Sequence, residues 1–352
     1  MLTEPHIFPG TVPPGYAYLE DEPVFDAARD LSMELPDSSV GLSDLGYSQA
    51  FRDNYGSDLA VSAPFRLLSD AGVARLQSVI SQLHPYIRRN SKTARVPAVL
   101  RGTAYRSRFV RDLSLSAEVT DFLSGIGGMQ LVPTSYPHQL AHLNFPPDDL
   151  TKPNVGWHHD ENAFVLVLMV HDPNSVDGGD FEYFDGTRHE GHAILDRDRD
   201  IPASRRVSPH FPGAGYAVLM QGSTILHRAS PLLHPGNRIS LVTSYDTRDV
   251  RYPDPNRFYF VTGGFGDIDP NAQLERYCRY VDYARHMAWR TRGKLADFID
   301  TIEWTDDRDC VIARFEEAID DAITALNALK RGDVTREEAK RLRAEEDARL
   351  PR

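Results

Sequence analysis

The middle of the chain alternates short apolar segments with Gly- and Pro-rich turns. The longest apolar segment, residues 163–170, has the length of a buried strand. Other segments predict strands near residues 99–109, 129–132, 139–145, 181–184, 216–220, 224–227 and 238–245. Many short strands with frequent turn signals are typical of a mainly β fold, either a sandwich or a barrel.

Helical patterns flank this strand-rich region on both sides. Apolar residues at 67–83 recur at helical spacing, with Ser69 and Asp70 as candidate N-caps, and a second helix is predicted at 116–125. After about residue 270, two apolar stripes again follow a helical period. The Pro-, Gly- and Asp-rich residues 1–60 have weak periodicity, which indicates an irregular arm.

These patterns divide the chain into four segments. Residues 1–60 form the N-terminal arm, and 61–268 form a β-rich domain with leading helices. Residues 269–330 are helices packed on that domain, and 331–352 are a charged terminal helix or tail. In the tail, Thr335 is followed by an acidic residue at the spacing of a capping box.

Composition and charge narrow the classes of function. The chain has 352 residues, with 39 Lys and Arg against 51 Asp and Glu, and a formal net charge of −12. This balance disfavours nucleic acid and anionic membranes as partners; it leaves a small-molecule substrate, with homo-oligomerisation open. Cys278 and Cys310 lack a paired metal-binding spacing, and no signal peptide or membrane-spanning stretch is apparent. We therefore expect a cytoplasmic protein.

A histidine and a carboxylate precede the longest apolar segment. His158 and Asp160 are two residues apart, and side chains at that spacing point to the same face of a strand. His227 ends a later predicted strand. Two imidazoles and one carboxylate on one face of a metal leave three positions open, the arrangement that non-haem Fe(II) oxygenases use. These three residues are therefore candidate metal ligands.

An arginine and a serine follow the distal histidine on the next predicted strand. Arg238 and Ser240 are again two residues apart and share a strand face. A guanidinium can bind a carboxylate through two parallel hydrogen bonds, and a neighbouring hydroxyl adds a further donor. A dicarboxylate that chelates the metal at one end would bridge the metal and Arg238.

The ordered series of these motifs resembles the Fe(II)/2-oxoglutarate-dependent oxygenase superfamily. The resemblance is carried by four segments, Trp157–Asp160, Gly178–Phe184, His227–Pro231 and Arg238–Ser240. It covers about residues 125–250. It implies a double-stranded β-helix, the cupin-like jelly roll, with α-helices flanking it at both chain ends. Residues 61–268 would then be the catalytic domain.

The resemblance also implies an activity and a set of cofactors. His158, Asp160 and His227 would bind Fe(II), while Arg238 and Ser240 would bind the distal carboxylate of 2-oxoglutarate. The enzyme would consume O2 and release succinate and CO2. The substrate would undergo hydroxylation or a related C–H oxidation, such as desaturation or ring closure.

Two nearby histidines compete with these ligands. His159 should point away from His158 along the strand, which suits packing or support of a ligand better than iron binding. His234 precedes Arg238 by four residues, whereas His227 precedes it by eleven, close to the spacing that the family uses. We therefore prefer His227 as the distal ligand.

Residues around the motifs are candidates for the pocket. Asn144 and His142 share a face of the strand on which relatives place cosubstrate contacts, and we assign Asn144 to 2-oxoglutarate. The tentative substrate contacts are His142, Arg101, Tyr105, Glu161, Asn162 and Phe164. Their mixture of carboxylate and guanidinium groups favours an amino acid or a similar small polar metabolite.

Other functions share parts of this pattern. Halogenases of the superfamily carry a small residue where Asp160 stands, so the carboxylate favours hydroxylation or a related oxidation. A peptide or protein hydroxylase of the same superfamily is the alternative enzyme. A non-catalytic jelly-roll protein that binds a metal or small ligand is the alternative class, but it would not need the carboxylate clamp formed by Arg238 and Ser240.

Overall fold

Two antiparallel sheets form the centre of the computed structural model, which describes residues 8–89, 96–258, 270–332 and 334–347. The larger sheet has the order β1 (Ser39–Gly41), β2 (Leu59–Ser62), β12 (Tyr216–Met220), β9 (Phe164–Met169), β14 (Ser240–Thr247), β7 (Ala141–Asn144), β5 (Ala98–Leu100), β4 (Arg88–Arg89). Two further strands join it, β3 (Phe65–Arg66) beside β12 and β6 (Leu131–Pro133) beside β14. The smaller sheet has the order β11 (Arg206–Val207), β10 (Phe181–Phe184), β13 (His227–Pro231), β8 (Pro153–His158).

The central strand β9 explains why residues 163–170 are uniformly apolar. Val165 and Val167 belong to the core that β9 shares with Phe181 of the smaller sheet. Leu166 and Leu168 belong to a second core between the larger sheet and the helices. Because both faces of the strand are covered, neither set of alternating side chains is polar. Two facing sheets with helices outside them are the jelly roll that the resemblance implies, and the prediction of fold class is confirmed.

Helices cover the larger sheet and extend beyond it. Their bounds in the described residues are α1 (Ala27–Asp30), α2 (Gln49–Asp53), α3 (Asp70–Leu83), α4 (Arg108–Leu115), α5 (Ala117–Gly127), α6 (Pro137–Leu140), α7 (Arg188–Asp198), α8 (Pro270–Thr301), α9 (Arg308–Arg331) and α10 (Arg336–Asp347). Ser69 caps α3 through a 3.1 Å bond from the Gly72 N–H, as its sequence position predicts. Within the part of the chain described here, every helix lacks a stretch long and apolar enough to cross a bilayer.

The strand predicted at residues 99–109 is wrong beyond its first residues. Strand β5 ends at Leu100, and Gly102 turns the chain with a φ of +65°, a conformation that favours glycine. Ser107 then accepts a 3.1 Å bond from the Val110 N–H and begins α4. The apolar residues of this segment therefore face the core from a helix and not from a strand.

Other boundaries differ because tertiary contacts set them. The arm predicted at residues 1–60 contributes β1 and β2, which extend the larger sheet from β12. The strand predicted at 224–227 begins only at His227, after a turn in which Thr224 Oγ1 donates to the Gln221 carbonyl at 3.0 Å. Helix α7 lies in a polar segment for which the apolar pattern gave no prediction.

Candidate metal centre and cosubstrate pocket

Three candidate ligands meet where β8 ends and β13 begins. His158, the last residue of β8, lies directly opposite His227, the first residue of β13, and their ring centroids are 4.1 Å apart. The carboxylate oxygens of Asp160 lie 3.4 Å from His158 Nε2 and 3.5 Å from His227 Nε2. One ligand atom from each residue lies within 4.8 Å of the other two.

Backbone carbonyls orient both imidazoles. Nδ1 of His158 lies 2.7 Å from the Gly156 carbonyl oxygen, and Nδ1 of His227 lies 3.0 Å from that of Ile225. Because a carbonyl only accepts, each Nδ1 donates its proton and each Nε2 presents its lone pair toward Asp160. Metal-binding histidines are commonly held in this way through the nitrogen that does not bind metal. Two neutral imidazoles and a carboxylate fit Fe(II).

Gly222 lets the carboxylate approach the two imidazoles. The Asp160 N–H donates to the Gly222 carbonyl at 2.8 Å. A Cβ at Gly222 would lie 2.9 Å from Asp160 Cβ and 2.7 Å from Val165 Cγ2, closer than real side chains come. The sequence pattern placed Asp160 on a strand with His158, but β8 ends at His158. Asp160 lies close to both imidazoles, as predicted, but a turn held by the Gly222 carbonyl places it there.

Arg238 is a buried cation on the wall of the cavity that the three candidate ligands line. It is 3% exposed, and it lines a pocket together with His158, Asp160 and His227. Its Nη1 donates to Ser240 Oγ at 3.1 Å. Burial lowers the pKa of Arg238 to about 10, although the charge of nearby Asp180 opposes this shift.

The guanidinium of Arg238 lacks an ion-pair partner among the residues described. It contacts the Gly179 carbonyl and the Ser240 hydroxyl and interacts at longer range with the charge of Asp180. A buried cation is costly unless an anion compensates it. The arrangement therefore suits an anionic ligand that enters the cavity, such as the carboxylate of a keto acid.

Asn144 and Ser240 add polar groups beside the arginine. They are register partners on β7 and β14, and both line the pocket that holds Arg238. Oδ1 of Asn144 is buried and has no hydrogen-bond partner in the described part of the chain. A buried polar atom in this state is available to a bound ligand.

A pocket that adjoins this cavity, the outer pocket, contains most of the predicted substrate residues. Arg101, His142, Glu161 and Asn162 line it together with Asp160. The structure therefore brings together a guanidinium, a carboxylate and an amide beside the candidate metal centre.

Two predicted substrate residues lie elsewhere. Phe164 belongs to the core between the larger sheet and the helices. The hydroxyl of Tyr105 donates to buried Asp282, at 3.2 Å from Oδ1. Their assignment as substrate contacts is corrected accordingly. The sequence pattern predicts a strand for the segment of Tyr105, whereas the residue lies in a short 3₁₀ turn before α4.

The competing histidines are not part of the ligand cluster. The side chain of His234 is 76% exposed, and its Nε2 lies 3.9 Å from Asp177. His159 turns away from the cluster, and its Nδ1 lies 2.8 Å from Nε2 of His192 on α7. Both observations agree with the preference for His158 and His227.

A buried polar chain behind the outer pocket was not predicted. Asn162 Nδ2 lies 3.4 Å from Asn256 Oδ1, and Asn256 Nδ2 donates to Asp254 at 2.9 Å. Asp254 accepts from His286 of α8 at 2.9 Å. Burial alone would raise the pKa of Asp254, but His286 and Arg290 hold it well below its usual range. These residues lie far apart in the sequence, so no local sequence motif predicts this series of hydrogen-bonded side chains.

The jelly roll, the His-Asp-His cluster and the buried arginine agree with what the resemblance to the Fe(II)/2-oxoglutarate-dependent oxygenase superfamily implies. A family model described as HalD, Halogenase D, matches residues 79–253. No curated protein sequence matches the chain.

Solved structures with related folds are distant. The non-haem α-ketoglutarate-dependent epimerase SnoN from nogalamycin biosynthesis is 18% identical, over 57% of this chain and 84% of its own, with a TM-score of 0.40. HygX from Streptomyces hygroscopicus, solved with nickel, 2-oxoglutarate and hygromycin B bound, is 12% identical over 57% of this chain and 88% of its own, with a TM-score of 0.36. Because these values are low, the function below is inferred from the chain's own residues.

Proposed function

We propose that this protein is an Fe(II)/2-oxoglutarate-dependent dioxygenase that oxidises a C–H bond of a small molecule and releases succinate and CO2. One observation carries the proposal. The three convergent ligands and a buried arginine without an ion-pair partner among the described residues line one cavity. A protein that only stores a metal has no use for a desolvated cation beside it.

The residues divide between metal and cosubstrate. His158, Asp160 and His227 would hold Fe(II) through two Nε2 atoms and one carboxylate oxygen. Arg238 and Ser240 would bind the distal carboxylate of 2-oxoglutarate through charge-assisted hydrogen bonds. Bound iron with the keto acid supplies the activation of O2 that side chains alone cannot provide. The chain's own role is to orient these groups and to exclude water from the cavity.

Hydroxylation or a related oxidation is favoured over halogenation. The matching family model carries the name of a halogenase. However, halogenases of this superfamily need a small residue at the third ligand position. Here Asp160 fills that position, with both carboxylate oxygens facing the imidazoles at 3.4 and 3.5 Å. The carboxylate therefore takes the metal position that a halide would require.

The outer pocket favours an amino acid or a similar zwitterionic metabolite. Arg101 is 8% exposed and offers a cation to a substrate carboxylate, and its Nη1 donates to Gln139 at 3.2 Å. Glu161 lines the same pocket and offers an anion to a substrate ammonium. HygX, by comparison, was solved with the small molecule hygromycin B bound.

Succinate release tests the proposal. Purified protein with Fe(II), 2-oxoglutarate and O2 is screened against pools of free amino acids, small polar metabolites and short peptides. We expect succinate formation above the uncoupled background with a pool of small molecules, and its loss in Asp160→Ala. Stimulation by peptides alone would move the substrate class to proteins. If no pool stimulates succinate formation and no uncoupled succinate is formed either, the oxygenase activity is contradicted.

A further inference from the structure

Exposed apolar side chains concentrate on the C-terminal helical hairpin formed by α8 and α9. Among the residues described, eleven large apolar side chains are exposed, and seven of them lie between residues 281 and 326. They include Trp304, which is fully exposed in the connection between the two helices, and Ile299 at 72% exposure. Such clustering marks an interaction site more often than scattered surface residues do.

Helix α9 carries a continuous apolar stripe on its outer side. At about 100° per residue, five of its seven large apolar residues fall in a sector about 80° wide, while Val311 and Leu329 are half-buried and lie about 40° outside it. The five are Ile312, Phe315, Ile319, Ile323 and Leu326. Four of them are 45 to 52% exposed and Ile319 is half-buried. A surface helix normally turns such a stripe toward its own core.

The core-facing side of α9 is a different one. Ala318, Asp321 and Ala325 are the buried residues of the helix. Asp321 accepts from Arg290 of α8 at 3.0 Å and lies 3.1 Å from Lys294 Nζ. The contact with α8 uses small residues, an ion pair and Leu329, which packs against the buried cluster that contains Tyr283 and Met287. The five residues of the stripe remain on the outer side, apart from an edge contact between Phe315 and Phe298 at 5.4 Å.

The stripe is symmetric about its central residue. Ile312 and Leu326 each lie seven positions from Ile319, and Phe315 and Ile323 each lie four positions from it. A two-fold axis at Ile319 therefore superposes the apolar pattern on itself when the helix runs antiparallel to a copy. Self-complementarity of this kind is the requirement for an isologous dimer interface.

We propose that α9 packs antiparallel against α9 of a second copy of this chain, with the two-fold axis at Ile319. The charges at the helix ends agree with this direction. Residues 306–309 carry three Asp and one Arg, a net charge of −2, and residues 330–331 carry Lys and Arg, a net charge of +2. Antiparallel packing places each acidic end beside a basic end, whereas parallel packing would place like charges together.

The α9 contact supplies about half the area of a standard dimer interface. A helix of 24 residues is about 36 Å long and about 10 to 12 Å across, so a contact along its whole length covers roughly 400 Å² per chain. A standard interface buries about 800 Å² per partner. Ile299 and Trp304, exposed near the same end of α9, would supply additional area.

Sedimentation velocity on the full chain over a concentration series tests the proposal. We expect the wild type to be dimeric and Ile319→Glu to be monomeric, with the dimer dissociation constant raised about 100-fold or more because two carboxylates would meet at the axis. Ala313→Glu adds the same charge on an exposed site about 100° around the helix from Ile312 and should remain dimeric. Circular dichroism shows whether each variant is folded.

A disulfide at the axis gives an independent measurement. In a Cys310→Ser background, Ile319→Cys should oxidise to a covalent dimer, because the residue faces its own copy at the axis. Ala313→Cys in the same background should cross-link far more slowly. A monomeric wild type, or a dimer unaffected by Ile319→Glu, overturns the proposal and would assign the stripe to another occupant. None of these results depends on the oxygenase activity.

Discussion

The carbonyl oxygen of Gly179 accepts a 2.7 Å hydrogen bond from Nε of Arg238. Gly179 has a φ of +72°, and a Cβ there would lie 2.9 Å from Cγ of Arg238 and 2.9 Å from Cδ2 of Leu232. The glycine therefore holds the guanidinium by its backbone and leaves space for the arginine stem. From the sequence alone, Gly178 and Gly179 are most simply a turn, so this role is a finding of the structure.

Gly179→Ala should weaken 2-oxoglutarate binding by about tenfold or more while leaving the metal content unchanged. The new Cβ would push the arginine stem, and the left-handed backbone costs a non-glycine residue about 1 kcal/mol or more. Titration calorimetry with 2-oxoglutarate, beside metal analysis of the purified protein, measures both quantities. Gly213→Ala is the matched control because nothing lies within 4 Å of a Cβ at that site. Equal loss of metal and 2-oxoglutarate would show a general structural defect.

Replacing the histidines one at a time identifies the distal ligand. His227→Ala should abolish succinate formation and lower Fe(II) affinity, because it removes one of three convergent ligands. His234→Ala should leave both unchanged, since its side chain is 76% exposed and outside the cluster. Metal titration and succinate release are the measurements. Activity retained in His227→Ala and lost in His234→Ala would reverse the ligand assignment.

Asp282 should make the protein less stable as the pH rises toward 7. Burial raises the pKa of Asp282 to about 7, against the opposing hydrogen bonds from the His138 N–H and the Tyr105 hydroxyl. The unfolded chain ionises this group near pH 3.9 while the folded chain keeps it protonated up to about pH 7, so the free energy of unfolding falls progressively between about pH 4 and pH 7. The stability associated with the neutral carboxyl is full below that window and lost above it.

Asp282→Asn isolates this effect because the amide cannot ionise. The amide can still accept from the His138 N–H and donate to the Tyr105 hydroxyl. We expect the variant to be more stable than the wild type by about 1 to 3 kcal/mol at pH 8, and the difference to vanish near pH 4. Urea unfolding at the two pH values is the measurement. A difference that does not depend on pH would mean that the substitution acts through packing.

The candidate metal ligands and the candidate carboxylate clamp could be located from the sequence because most of these residues lie in short local patterns. His158 with Asp160, and Arg238 with Ser240, are pairs two residues apart that period-two geometry places on one face. The strand-rich pattern predicts a mainly β fold, either a sandwich or a barrel, and the resemblance implies the jelly roll. The jelly roll brings these segments together across its two sheets, as the resemblance implied.

Features that depend on distant contacts could not be predicted. Strands β1 and β2 are short and weakly periodic, and pairing with β12 is what makes them strands. The segment after Leu100 has enough apolar residues for a strand, but Gly102 and the Ser107 cap redirect it into a helix. The polar chain from Asn162 to His286 joins three separate parts of the sequence, and only the folded chain reveals it.

We propose that one cavity would hold both Fe(II) and 2-oxoglutarate, with His158, Asp160 and His227 at the metal and Arg238 at the keto acid. Anaerobic addition of Fe(II) and then 2-oxoglutarate, followed by visible absorption, tests it most directly. We predict a metal-to-ligand charge-transfer band in the wild type. In Arg238→Ala, the band should appear only at 2-oxoglutarate concentrations about 30- to 1,000-fold higher, since removal of a buried charged partner costs roughly 2 to 4 kcal/mol, while bound iron is unchanged. Folded, iron-loaded wild type that shows no band at saturating 2-oxoglutarate would contradict the claim.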